Sequence, residues 1–185
     1  MQSELVVKAR GGDRESFAAL AAASLPRLLE TARLILRDED RAQDAAQDCL
    51  IQAWLDIRGL RDPALFGAWL NRLLVRQCYR EATRHRHRRA VEVRLLPIDG
   101  PTTTDAQASL AARDQLDRAF RAVPIEQRAV LVLHHFLDLP DAEAAQILGI
   151  PVGTFKSRLN RAKLALRAAV ESDDRREPGR QESIA

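Results

Sequence analysis

Apolar residues recur along this chain at intervals of three and four, the spacing that gathers them on one side of an α-helix. Leu25, Leu28, Leu29, Ala32, Ile35 and Leu36 form one such stripe. Pro26, near its start, suits a first helical turn, where a missing N–H removes no bond. A longer stripe runs through Ala42, Ala45, Ala46, Cys49, Leu50, Ala53, Trp54 and Ile57. Gly59 and Pro63 in "RGLRDPA" interrupt it, and a third follows at Phe66, Trp69, Leu70, Leu73 and Leu74. Together these predict one helical domain over residues 1–89.

Between 90 and 108 the periodicity fades into "LLPIDGPTTTDAQAS", whose prolines, glycine and consecutive threonines read as a flexible linker. Amphipathic helices are expected again around 111–122 and 125–136, followed by a closely spaced pair. This second domain covers 109–170. The polar tail 171–185, "ESDDRREPGRQESIA", has almost no apolar content and reads as disordered. The predicted fold is therefore all-α: two small helical domains on a flexible linker, the C-terminal one a helix-turn-helix. Aromatic residues make up only 4% of the chain, so the cores must be built from Leu, Ala, Val and Ile.

The helix-turn-helix reading rests on "LPDAEAAQILGIPVGTFKSRL". Pro140 and Asp141 suit a helix start, Ala145 is small where a second helix must cross, and Gly149 can take the left-handed backbone of a tight turn. Pro151 opens the second helix, in which Phe155, Leu159, Ala162 and Leu166 share one face. Thr154, Lys156, Ser157, Arg158, Asn160 and Arg161 supply hydroxyls, an amide and cations, the side chains that contact base edges and phosphates from a helix in the major groove. No acid occurs from Ile150 to Val170. An ordinary solvated helix face usually mixes signs, so DNA is the favoured partner.

The formal net charge of +3 conceals a strong segregation. Arg72, Arg76, Arg80 and Arg84 recur every four residues, and "RHRHRR" extends the run; residues 71–89 hold seven arginines against Glu81 alone. Like charges at that spacing repel, and a polyanion would relieve them. Trp69 and Tyr79 beside them could stack on unpaired bases, although core packing explains Trp69 equally well. The preceding helix is acidic, with Asp38, Glu39, Asp40, Asp44 and Asp48 against Arg41. Asp44 and Asp48 lie too far inside it to serve only as partners of the helix dipole, which points to a basic protein partner.

Other chemistries find little support. Cys49 and Cys78 lack any CxxC or Cys/His spacing and read as buried thiols. His134 and His135 are adjacent, so on an α-helix they diverge by about 100° and cannot readily share a metal. No phosphate-cradling glycine loop or nucleophile and base pair is present, so no catalytic residue, metal or cofactor is expected. Charges scattered through "MQSELVVKARGGDRESF" exclude a signal peptide, and no apolar run approaches the ~20 residues of a membrane span. The expected location is the cytoplasm, with no membrane insertion.

In its residues this chain resembles the bacterial extracytoplasmic-function (ECF) sigma factors. "VPIEQRAVLVL" followed by "LGIPVGTFKSRLNRAKLALR" is similar to the family's fourth conserved region, and "DRAQDAAQDCLIQAW" with "FGAWLNRLLVRQ" to its second. The resemblance implies a protein that binds RNA polymerase core and directs promoter-specific initiation. By position it assigns Asp44, Gln47 and Asp48 to the β′ clamp helices and the second domain to the β flap. Loop 58–64, with Arg58 and Arg61, would capture a flipped base of the minus-ten element, flanked by Trp69, Arg72, Arg76 and Arg80. Pro151, Thr154, Lys156, Ser157, Arg158, Asn160 and Arg161 would read the minus-thirty-five element, with His134 as an outlying contact. Family members are commonly held by an anti-sigma factor. Pro140 and Asp141 depart from the usual Ser cap and aromatic, and Ala45, Ala46 and "LAAAS" imply a lighter core. The rival reading is a helix-turn-helix regulator that never engages polymerase, which would leave the acidic face and the arginine ladder without a task.

Overall fold

The computed structural model describes residues 1–92 and 108–174, with side chains described outside 86–92, 108–114 and 173–174. Every regular element among them is helical. The first group comprises α1 (Gln2–Arg10), α2 (Arg14–Leu36), α3 (Glu39–Asp56) and α4 (Phe66–Glu92). The second comprises α5 (Ala108–Ala122), α6 (Ile125–Leu131), α7 (Asp141–Leu148) and α8 (Val152–Asp174). Most of the expected linker and tail lies outside the described residues. The exception at the C-terminus is that α8 continues to Asp174, with Ala169 and Val170 still half-buried against the second group.

Carboxylates cap α2 and α3. Asp13 accepts from the Glu15 N–H and the Ser16 hydroxyl, and this bonding, led by Ser16, lowers its pKa. Asp38 accepts from the Arg41 N–H at 3.0 Å at the head of α3. Such caps satisfy donors that have no partner inside the helix. Between α2 and α3, Arg37 takes the left-handed conformation (φ 57°) and turns the chain sharply.

The apolar stripes meet where expected. Leu28, Ala32, Ile35 and Leu36 of α2, Ala42, Ala45, Ala46, Cys49 and Ala53 of α3, and Phe66, Leu70, Leu73, Leu74 and Cys78 of α4 are buried together. Ala45 and Ala46 are almost wholly enclosed, and with so little side chain between them the helices can pack closely. Two details differ from the expectation. Pro26 lies in the middle of α2, which begins twelve residues earlier at Arg14. The bond it cannot donate would go to the Ala22 carbonyl, and both residues are on the exposed side, where water can take its place. Leu25, beside it, is 37% exposed and outside the core.

In the second group α8 is anchored by Phe155, Leu159 and Ala162, all buried, with Leu166 half-buried beyond them. The helix expected over 125–136 ends as an α-helix at Leu131 and continues as one π-helical turn, Val132–Phe136, closed by the Leu137 N–H on the Val132 carbonyl at 3.0 Å. The two groups then share one apolar core, with α6 and α7 packed against α4, and α6 and the π turn against α2.

Gly149 ends α7 at φ 67°. Its N–H reaches the Gln146 carbonyl and the Ile150 N–H the Ala145 carbonyl, both at 3.1 Å, the paired bonds of a Schellman turn. A Cβ there would meet no atom within 4 Å, so only backbone strain opposes substitution. Gly149→Ala should therefore lower unfolding free energy by ~1 kcal/mol and Gly149→Asn by clearly less, as measured by urea denaturation.

Candidate nucleic-acid interface

The Schellman turn leads directly into α8, one face of which is buried in the core. Pro151, Lys156, Ser157, Asn160 and Arg161 are exposed, while Thr154 and Arg158 are half-buried. The exposed residues recur at 156, 157, 160 and 161, directly opposite the buried Phe155, Leu159 and Ala162. Ser157 donates its hydroxyl to the Thr154 carbonyl at 3.0 Å and Arg161 bonds the Ser157 carbonyl at 3.4 Å, internal bonds that a ligand could readily exchange. Arg158 instead turns inward, close enough to Tyr79 on α4 to favour the phenolate, although burial still pushes that phenol up to about 12.

His134, the outlying candidate, is half-buried. Its Nδ1 lies 3.2 Å from a carboxylate oxygen of Asp141, at the first position of α7. Although neighbours in a helix diverge, the His134 and His135 rings meet edge to face with centroids 4.6 Å apart. Even so, no cluster of three metal-ligating side chains occurs among the described residues.

On α4 the arginine ladder divides into different environments. Arg76 and Arg80 are exposed. Arg84 is drawn to Glu81 at 3.2 Å and Asp48 at 3.4 Å, which raise its pKa. Arg72 reaches across to the second group and donates to the Gln146 carbonyl at 2.6 Å. Preceding α4 are two short 3₁₀ turns, Ile57–Gly59 and Pro63–Leu65; Arg58 lies on the first and Arg61 between them, both exposed. Asp62 caps the second turn by accepting from the Ala64 N–H at 2.9 Å. Trp69 packs on Phe66 with ring centroids 5.9 Å apart. It helps line a cavity of about 330 Å³ with Leu60, Leu65, Arg72, Gln146 and Ile147.

The acidic surface is on α3. Asp44 and Gln47 are exposed and Asp48 is partly covered by Arg84. Ile51 and Leu55, 52% and 65% exposed, continue the same face at helical spacing. Sequence reasoning overlooked this pair, and the signal was available: both are apolar yet fall off the buried stripe.

Two family models match the chain, "Sigma-70 region 2" over residues 20–88 and "Sigma-70, region 4" over residues 113–166. The ECF RNA polymerase sigma factor SigM of Mycobacterium tuberculosis is 32% identical over 165 residues, covering 89% of this chain and 82% of SigM. The chain belongs to the ECF RNA polymerase sigma factors.

Two solved structures agree in fold. RpoE from Bartonella quintana, in complex with the anti-sigma factor NepR, superposes with a TM-score of 0.68 at 26% identity, over 86% of this chain and 99% of RpoE. CnrH, in complex with the cytosolic domain of CnrY, gives 0.66 at 25% identity, over 93% of this chain and 98% of CnrH. The acidic face of α3 and the arginines of α4 lie in the region 2 match, and the exposed cations of α8 in the region 4 match.

The cysteines of this sigma factor are sequestered. Cys49 faces the Leu70 carbonyl at 3.7 Å and burial pushes its thiol up to about 12; burial raises Cys78 further. No helix among the described residues is long and apolar enough to cross a membrane.

His135 is depressed first by burial, then by His134 and Lys163. Its neutral form is thus favoured in the folded protein, so the stability it contributes is complete above the unfolded histidine value of ~6.5 and declines as pH falls below it. Lys163→Gln removes one of the depressing charges and should move the His135 titration upward, as followed by its imidazole proton resonances.

Proposed function

We propose that this sigma factor binds polymerase core through α3 and reads the two promoter elements with α4 and α8. The observation that carries the division is the separation of charge: an exposed acid and amide face on α3, against exposed cations on α4 and at the head of α8. Asp44, Gln47 and Asp48 are the polymerase contacts, and Ile51 and Leu55 extend that face with apolar area. An acidic rim beside an apolar centre suits a basic, partly apolar protein surface.

For the minus-thirty-five element, Lys156, Ser157, Asn160 and Arg161 enter the major groove from the N-terminal half of α8, with Pro151 at the backbone. For the minus-ten element, Arg58 and Arg61 in the loop before α4, and Trp69, Arg72, Arg76 and Arg80 on α4, surround the unpaired strand. Single-strand binding needs cations along the backbone and an apolar or aromatic site for an extruded base, and this surface offers both. Arg84, held by Asp48 and Glu81, takes no part in the DNA contact.

Core polymerase should be retained by the immobilised protein in the absence of DNA. Asp44→Arg should abolish that retention while circular dichroism stays unchanged; failure of the unaltered protein to retain core would overturn the reading in favour of a regulator that acts alone. In duplex binding, Arg161→Ala should weaken all sequences and reduce the slope of log K against log salt by about one, as expected for loss of one phosphate contact. Fluorescence anisotropy across a salt series measures it.

A further inference from the structure

The fourth arginine of the α4 ladder leaves the row. Arg80 faces water, whereas Arg84 turns to two carboxylates, Glu81 at 3.2 Å and Asp48 of α3 at 3.4 Å. One guanidinium nitrogen, Nη1, donates to both. The side chains of Arg84 and Asp48 are 53% and 41% exposed, but that of Glu81 only 4%. An exposed ion pair by itself fixes little. A buried carboxylate has lost its hydration and holds the cation that reaches it. Glu81 therefore anchors Arg84 on the α3 side of α4, and Asp48 meets a cation already held in place.

The bond from Arg84 reaches Asp48 at Oδ2. A carboxylate accepts at both oxygens, so Oδ1 stays open to a second donor. Two carboxylates stand against one guanidinium in this trio, which leaves it negative, and Arg84 does not cancel the acidity of the face. Asp48 is also central to that face, one helical turn after the exposed Asp44 and one before the exposed Ile51.

We infer that Arg84 is a positioning residue for the polymerase contact: anchored by Glu81, it holds Asp48 in the orientation that core meets, and it belongs to the acidic face of α3 and not to the DNA reader. This rests on the assignment of that face to polymerase. Ordering Asp48 in advance removes part of the entropy loss that binding would otherwise impose. The ladder then serves two partners, Arg76 and Arg80 the nucleic acid and Arg84 the protein.

The test titrates core polymerase into the fluorescently labelled full chain without DNA, and measures affinity for a short oligothymidine strand in parallel. Arg84→Gln should weaken core binding about three- to fivefold, the range expected when a side chain must be ordered on binding, and leave oligothymidine affinity unchanged. Arg84→Lys should recover most of the loss, since one nitrogen makes both contacts and an ammonium can replace it. In an Asp48→Asn background, Arg84→Gln should cost core binding nothing further, because it acts through Asp48. If Arg84→Gln alone fails to fold, the double variant with Glu81→Gln removes the buried charge together with its partner and gives the same comparison.

Equal losses in both backgrounds would overturn the inference. So would tighter core binding by Arg84→Gln, which would make Arg84 a competitor for Asp48, or a loss of oligothymidine affinity matching that of Arg80→Ala, which would return Arg84 to the DNA reader. If Asp44→Arg and Asp48→Asn leave core binding unchanged, the assignment of the face fails and the inference with it. If those two weaken binding and Arg84→Gln does not, the assignment stands and the positioning role alone is lost.

Discussion

The arrangement depends on how the surface of α4 is divided. One side, with Leu70, Leu73, Leu74 and Cys78, closes the core against α2 and α3, and α6 and α7 pack on α4 as well. Full burial of a leucine contributes roughly 1.5–3 kcal/mol, several times the weight of an exposed ion pair. Packing therefore decides how the helix is oriented, and its arginines accept what remains. Arg76 and Arg80 face water, Arg84 meets α3, and Arg72 meets α7. A ladder that is uniform in sequence becomes a set of unlike sites.

The same competition shapes α8. Phe155, Leu159 and Ala162 commit one face to the core, and the Schellman turn at Gly149 sets the direction from which the helix leaves α7. With the buried face determined, Lys156, Ser157, Asn160 and Arg161 can only point outward. Specific reading needs that rigidity, because a side chain discriminates between bases only if its backbone is held in place. Arg158, one residue out of phase, is carried toward Tyr79 instead.

Electrostatics enters on two scales. Between surfaces, the acidic face of α3 and the exposed cations of α4 and α8 lie on different elements. Where the two groups meet and water is partly excluded, single charges matter far more. Arg37, held in a left-handed turn after α2, pairs with Asp117 of α5 across the two groups.

Much of this was legible in the sequence. Helical spacing of the apolar residues identified the helices and most of their buried faces, the Gly149 and Pro151 pair marked the turn, and the run without acids marked the outward face of α8. These features are local, and a period of 3.6 residues carries them. Pro26 was misplaced because α2 extends well before its apolar stripe, through alanine-rich turns that bear little pattern. The contact of His134 with Asp141 could not be read in advance, because no spacing rule reveals a π turn that brings the two together. Ile51 and Leu55 were passed over because an apolar residue off the stripe is conspicuous only once the stripe is known to be buried. The pairing of Arg37 with Asp117 was invisible: the two come from separate parts of the chain, and which charges meet depends on how the two groups pack. The sequence alone determined the helices, their faces and the family, because short-range periodicity and motif order suffice for these. Only the tertiary structure decided which arginines stay available and which are spent on the protein itself, because that follows from contacts between residues far apart in the chain.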